Sequence, residues 1–272
     1  MSTERLISLA AATVLDAEPA VAIDAAARAG FGALGLRWDT ERHKGLSLGG
    51  FRRQLNDAGL ILLDLEVIRL GPEAGMDSHR RVVDVAAELR PRWLLTVSHH
   101  TDADRTRDEL LEIAQMLEPI ECGISLEFMV FTELRTAGAA LDMVASVRAA
   151  GAHNIGVLVD ALHLDRSGGS PAGLPGAIAE HLSYVQLCDA RTDSRPGVDD
   201  VQALAHEARH ARLFPGEGDL PLSELLQAVP ETTVISVEVQ SREWADRANP
   251  ADRAAHAMKT TLQIIERENE RS

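Results

Sequence analysis

The chain has 272 residues, 45% of them hydrophobic and 25% charged, ordinary proportions for a globular protein able to bury a full core without disulfides or structural metals. A formal net charge of −15 repels nucleic acid and anionic membrane, though it leaves room for a local basic pocket, and no apolar run approaches the roughly 18 residues of a membrane span. The two cysteines, Cys122 and Cys188, have no CxxC spacing, so the expectation is a cytoplasmic protein without a disulfide framework.

The N-terminal apolar run has no basic segment before it and is broken by Asp16, Glu18 and Pro19; it reads as a strand and loop, not a signal peptide. The first strand is expected over Leu6 to Val14. Pro19 then opens a helix that Gly30 closes, a Pro-start and Gly-stop arrangement. Ala33 to Trp38 is the second strand, Phe51 to Ala58 a helix, and Leu60 to Ile68 the third strand. A helix over Asp77 to Leu89 leads to the fourth strand, Trp93 to Ser98; a helix over Thr106 to Leu117 leads to the fifth, Ile124 to Met129. Thr136 to Ala150 is helical, Ile155 to Asp160 the sixth strand, Pro175 to His181 a helix, and Tyr184 to Cys188 the seventh strand. A longer irregular segment follows, then a short helix from Pro221 to Ala228, the eighth strand over Thr233 to Gln240, and a closing helix over Ala251 to Glu266.

Eight strands alternating with helices, at about 34 residues per unit, predict a single (β/α)8 TIM barrel over residues 1–272. The strands are apolar nearly throughout, as parallel strands covered by helices should be. An open doubly wound sheet competes, but no GxGxxG or Walker loop follows the first strand.

Catalytic residues of such a barrel sit at the C-terminal strand ends. Polar residues interrupt the apolar runs there: Glu127 in ISLEFM, Asp160 in IGVLVDALHL with His163 three residues on, Gln186 and Asp189 in YVQLCDA, and Glu238 in VISVEVQ. An ionised carboxylate inside an apolar strand is costly unless paired or bound to a cation. Three on one side of a barrel call for a shared cation, and three carboxylates with one amide oxygen favour Mg2+ or Mn2+ over Zn2+. Salt-bridged structural acids are the plain alternative, as a hydrogen-bonded structural role is for Gln186 and His163.

In SLEFM, VLVDALHLDRSGG, YVQLCDA, LFPGEGDLPL and ISVEVQ, about half of the chain, the sequence resembles the sugar isomerase/epimerase superfamily with the xylose-isomerase-like barrel. The resemblance implies Glu127, Asp160, Gln186 and Glu238 as ligands of one divalent metal ion. Many members carry His where this chain has Gln186. It also implies Glu127 and Glu238 as catalytic acid and base, moving a carbon-bound proton through a metal-stabilised enediolate. His163, Arg191 and His100 are the expected substrate-binding residues, with His99, Glu66 and Trp38 as weaker pocket candidates. The helix acids Asp108, Glu109 and Glu112 read as a solvated exterior, and the PGEG segment, Pro215 to Gly218, reads first of all as a turn, an ordering role for Glu217 in the active-site loop being the lesser reading.

The leading function is therefore a metal-dependent isomerase or epimerase of a small sugar or keto-acid. A dehydratase of the inosose or 3-dehydroshikimate type is the alternative on the same barrel; an apurinic endonuclease relative fits the charge poorly, and a non-catalytic binding barrel fits the retained acids poorly. The expected partner is a small-molecule substrate, with no nucleic acid and no membrane, and a homo-oligomer is compatible with the resemblance.

Overall fold

A computed structural model describes residues 5–174 and 176–271 and shows a closed barrel of parallel strands in chain order, the first strand pairing with both the second and the last. The strands are β1 (Ile7–Leu9), β2 (Ala33–Arg37), β3 (Ile61–Leu70), β4 (Trp93–Ser98), β5 (Gly123–Glu127), β6 (Ile155–Asp160), β7 (Leu182–Leu187) and β8 (Ile235–Val237). Around them run α1 (Pro19–Ala29), α2 (Leu48–Asp57), α3 (Met76–Leu89), α4 (Ala103–Leu117) and α5 (Ala137–Ala149). There follow α6 (Ala161–Arg166), α7 (Ile178–His181), α8 (Val201–His210), α9 (Leu222–Gln227), α10 (Arg242–Arg247) and α11 (Pro250–Arg271). Closure of the sheet excludes the doubly wound alternative.

Local chemistry sets the helix ends. Pro19 occupies the first turn of α1, where its missing N–H costs nothing, and Gly30 ends the helix at φ 87°, donating its N–H to the carbonyls of Ala26 and Ala27. Asp102, Thr136 and Asp200 accept first-turn N–H groups of α4, α5 and α8.

The main core lies between sheet and helices. A smaller cluster of Ala33, Leu63, Leu95, Val97, Leu158 and Tyr184 fills the barrel. The interior also carries polar groups: Ser8, Asp64, Glu66, Gln186 and Ser236 are all fully buried. Burial holds the Asp64 carboxyl well above its usual range, and neighbouring Glu66 adds to that, which favours the neutral acid beside Tyr184.

Several elements differ from the sequence expectation, among them the short helices α6 and α10, which it did not include. The first strand ends at Leu9, and Ala11–Val14 turn into a 3-10 helix. The eighth ends at Val237, with Glu238 just past its last pair. Thr13 closes this seam, its hydroxyl donating to the Val237 carbonyl and accepting from the Val239 N–H, both at 2.8 Å. The segment after β7, expected to be irregular, contains α8. The start of the helix expected from Pro175 lies outside the described residues; the rest is α7.

Candidate functional site

The C-terminal strand ends surround a cup of about 130 Å³, sized for a small molecule. Arg37, Glu127, His163, Arg212 and Glu238 line it, with Arg69, His99 and Arg209 toward solvent.

Arg212 is the centre of the site and is the residue that sequence reasoning missed. It is 3% exposed, and its Nη1 lies 2.6 Å from Asp160 Oδ2 while Nη2 lies 3.2 Å from Glu238 Oε2. Its Nε donates to the Ala208 carbonyl at 2.8 Å. The chain leaving α8 is stitched on both sides, by paired bonds between Leu213 and Asp189 and by the Arg212 N–H to the Gln240 carbonyl, which aims this side chain inward. The available signal was a charged residue inside the apolar run Ala211–Phe214, the same signal that pointed to the strand-end acids.

Asp160 is held from two directions. Oδ1 accepts the His163 N–H at 2.9 Å, Oδ2 takes the Arg212 pair, and these outweigh burial to keep its carboxyl below the usual range. Glu127 is different. Burial, then the charges of Glu238 and Asp160, push it well up, and the His163 ring stands beside it, with Nε2 at 3.8 Å. Burial raises Glu238 to about 7 even though Arg212 pulls the other way. The His163 imidazole is lowered to about 4 by burial, and Arg212 outweighs part of what Asp160 returns, so it is neutral at pH 7. Arg37 clamps fully buried Glu66 through Nε at 2.8 Å and Nη2 at 2.7 Å, and the same Nη2 stands 3.8 Å from Glu238.

Gln186 is wholly buried, paired in register with Asp160 and Ser236, and neither its amide oxygen nor its nitrogen has a hydrogen-bond partner among the described residues. A buried amide without partners is costly. Buried Glu66, Glu127, Asp160 and Glu238 also outnumber the two cations paired with them, half-buried Arg37 and buried Arg212. The unmatched amide oxygen and the surplus of carboxylates fit a hard divalent cation. As the side chains stand, no three His, Cys, Asp or Glu among the described residues converge on one point, and Arg212 bridges Asp160 and Glu238.

Two expected substrate contacts lie elsewhere. Strand alternation turns His99 into the cup and so sends His100 outward, where its Nε2 meets Glu109 of α4 at 2.9 Å. Glu109 is thereby a partner of His100, with His79 at 3.9 Å, and is not part of a solvated face. Arg191 lies 57% exposed on the loop after β7, 3.8 Å from Asp219, and lines a separate depression with Pro196 and His206. Its loop is turned away because Asp189 folds back to accept the N–H groups of Ala190, Gly216 and Leu220, each at 2.9 Å. Trp38 stacks on His43 outside the cup. Glu217 orders its turn by bonding His256 of α11 at 2.6 Å.

The closed barrel and its polar cup define an α/β barrel with its site at the C-terminal mouth. The chain belongs to the xylose isomerase-like TIM barrel family, whose model matches residues 23–263. Among solved structures, a xylose isomerase-like TIM barrel/4-hydroxyphenylpyruvate dioxygenase fusion protein superposes with TM-score 0.82 at 20% identity, covering 99% of this chain and 44% of that one. The chain thus spans less than half of that fusion protein. The IolI protein with a bound zinc atom gives TM-score 0.82 at 19% identity, covering 96% of this chain and 98% of that one. An L-ribulose 3-epimerase gives 0.75 at 15% identity, covering 98% and 96%. These likenesses show the shared fold. No curated protein sequence matches the chain.

Proposed function

We propose that this chain is an isomerase or epimerase of a small sugar or keto-acid, in which Glu127 and Glu238 exchange a carbon-bound proton through an enediolate. The observation that carries the reading is that both carboxyls line one cup, Glu127 3.8 Å from the His163 ring and Glu238 3.2 Å from Arg212; without a metal, burial also shifts both upward, Glu238 to about 7. A carboxyl tuned toward neutrality can accept and return a proton at physiological pH, which an ordinary surface carboxylate does poorly.

The other residues divide the remaining work. Asp160, fixed by Arg212 and the His163 N–H, stays ionised and orients its neighbours. Neutral His163 has its Nε2 between Glu127 and Arg212, at 3.8 and 3.4 Å, where it can bind a substrate oxygen. Arg212 offers charge to an oxygen that becomes negative as the proton leaves. Phe131, edge-on to His163 at 5.4 Å, and Met129 keep this side of the cup apolar.

A divalent cation, Mn2+ or Mg2+ by the all-oxygen donor set, would be held by Glu127, Asp160, Gln186 and Glu238 and would polarise the substrate carbonyl and offset the enediolate charge. The zinc of the IolI structure is further reason to expect a metal in this barrel. Return of the proton to the neighbouring carbon gives isomerisation, and return to the opposite face gives epimerisation.

The test is incubation of the Mn2+-loaded protein in D2O with ketoses, inososes and keto-acids, read by mass spectrometry. Deuterium gained at carbon without loss of water supports the proposal and identifies the substrate. Loss of water moves the assignment to a dehydratase, and no exchange in any compound removes the catalytic reading.

A further inference from the structure

The acids of this site lie on its floor, whereas its mouth is cationic. Arg69, exposed near the end of β3 and paired in register with Val97, and Arg209, exposed at the end of α8, both line the cup. Neither side chain makes an ion pair or a hydrogen bond among the described residues, in a chain with 42 acidic residues against 27 Lys and Arg. The Arg209 guanidinium lies over the Phe131 ring, 5.7 Å from its centroid, so it is guided along the cup wall. His99 and Arg37 line the same space. The acids whose charge Arg69 feels, Glu66 and Glu127, are buried at the floor, where Arg37 already clamps Glu66; Glu73 and Glu133 act on His99. The cations feel one another: after burial, the charges of Arg37 and Arg209 are what lower Arg69 from its ordinary value.

Like charges gathered at one mouth repel until an anion bridges them, and a cleft lined by one sign concentrates the opposite sign from solution. Two guanidinium forks suit a planar carboxylate.

We infer that Arg69 and Arg209 form an anion-recognition rim, and that the substrate carries a carboxylate at the end remote from its reacting carbon. The inference rests on the proposed function for where the reacting carbon sits, and it narrows that reading from sugars in general to acidic polyols and keto-acids. A neutral sugar would fill the floor of the cup and leave the rim unsatisfied.

The test is calorimetric binding to the full-length protein of two acid and neutral pairs: D-gluconate against D-glucitol, and quinate against myo-inositol. Glycerol 3-phosphate is titrated alongside. At least one acid should bind ~10-fold or more tightly than its neutral partner, an effect about the size of one charge-assisted contact. The double variant Arg69→Gln/Arg209→Gln should lose that preference. Both side chains are exposed and unpaired, so the variant should melt with wild type, and Arg53→Gln on α2 should bind as wild type does. Equal affinity for acid and neutral partner, a preference that survives the double variant, or no binding of either acid overturns the inference. Tighter binding of glycerol 3-phosphate than of either acid assigns the rim to a phosphate ester and overturns the carboxylate.

The two readings fail separately. An acid preference with no deuterium exchange in any compound removes the catalytic reading and leaves the rim. Exchange confined to neutral sugars, with KM unchanged in the double variant, removes the rim and leaves the chemistry.

Discussion

Arg212 gives the site its internal order, since it bridges two buried acids at 2.6 and 3.2 Å. Taking one partner from a buried charge pair strands the other, at a cost of about 3–5 kcal/mol. Arg212→Met should therefore lower stability by an amount of that order in urea melts, and added Mn2+ should raise the Tm of the variant more than that of wild type, because a bound cation replaces the missing charge. Equal responses to Mn2+ would show that Asp160 and Glu238 do not converge on a cation. Glu238→Gln keeps shape and removes the base: turnover should fall by about 10²–10⁴-fold with the fold intact. Full activity in that variant would falsify its catalytic role.

Asp64 tests the buried interior. Its folded carboxyl is raised, so the native state keeps a proton that the unfolded chain gives up near pH 4. Its contribution to stability is present below that pH and is lost as pH rises toward the folded value, by up to about 1.4 kcal/mol per unit. Asp64→Asn stays neutral throughout. Denaturant melts from pH 5 to 8 should show a shallower decline than wild type, and parallel slopes would place the ionisation elsewhere.

At the scale of elements, two glycines are fixed by backbone approach. A Cβ on Gly156 of β6 would stand 2.7 Å from the His181 carbonyl and 3.1 Å from the Ser183 N–H, between β6 and β7. Gly156→Ala should destabilise by about 1–3 kcal/mol through overpacking that backbone cannot relieve. A Cβ on Gly218 would stand 2.4 Å from Asp189 Oδ1 and 2.6 Å from the Ala190 carbonyl. The turn held by Asp189 lies a few residues beyond Arg212, so Gly218→Ala should lower kcat/KM by a larger factor than its melting point predicts. A proportional loss would make the turn purely structural.

Much at this scale was legible because its causes are local. The Pro-start and Gly-stop of α1 and the short apolar runs each follow from neighbouring residues. The eighth strand was read too long because Glu238 to Gln240 have no strand partner in register, a fact fixed by closure against β1. α8 was missed because it lies in a segment whose helical face is short and whose neighbours are turn-rich. His100 and Arg191 were misplaced for different reasons: alternation past the end of β4 turns one outward, and the fold-back of Asp189 carries the other to a separate surface.

The whole molecule carries −15 yet focuses positive charge at one mouth and negative charge beneath it. No helix among the described residues is long and apolar enough to cross a membrane. If the acid surplus on the floor is matched by a divalent cation, dialysis against EDTA should abolish deuterium exchange and lower the Tm, and Mn2+ should restore both. Retention of exchange after exhaustive chelation would leave Arg37 and Arg212 as the operative cations.

The amino-acid sequence alone determined the barrel and the strand-end acids Glu127, Asp160 and Glu238. Alternating elements and a charge inside an apolar run are local patterns, and the cost of burying charge makes them legible. Tertiary structure decided which cations meet those acids. Arg37 and Arg69 come from two strands and Arg209 and Arg212 from a helix end and the loop after it, well over a hundred residues on, and a long flexible side chain can point to solvent or to the cup. Only the closed sheet, which brings Asp160 and Arg212 together across 52 residues, settles that direction.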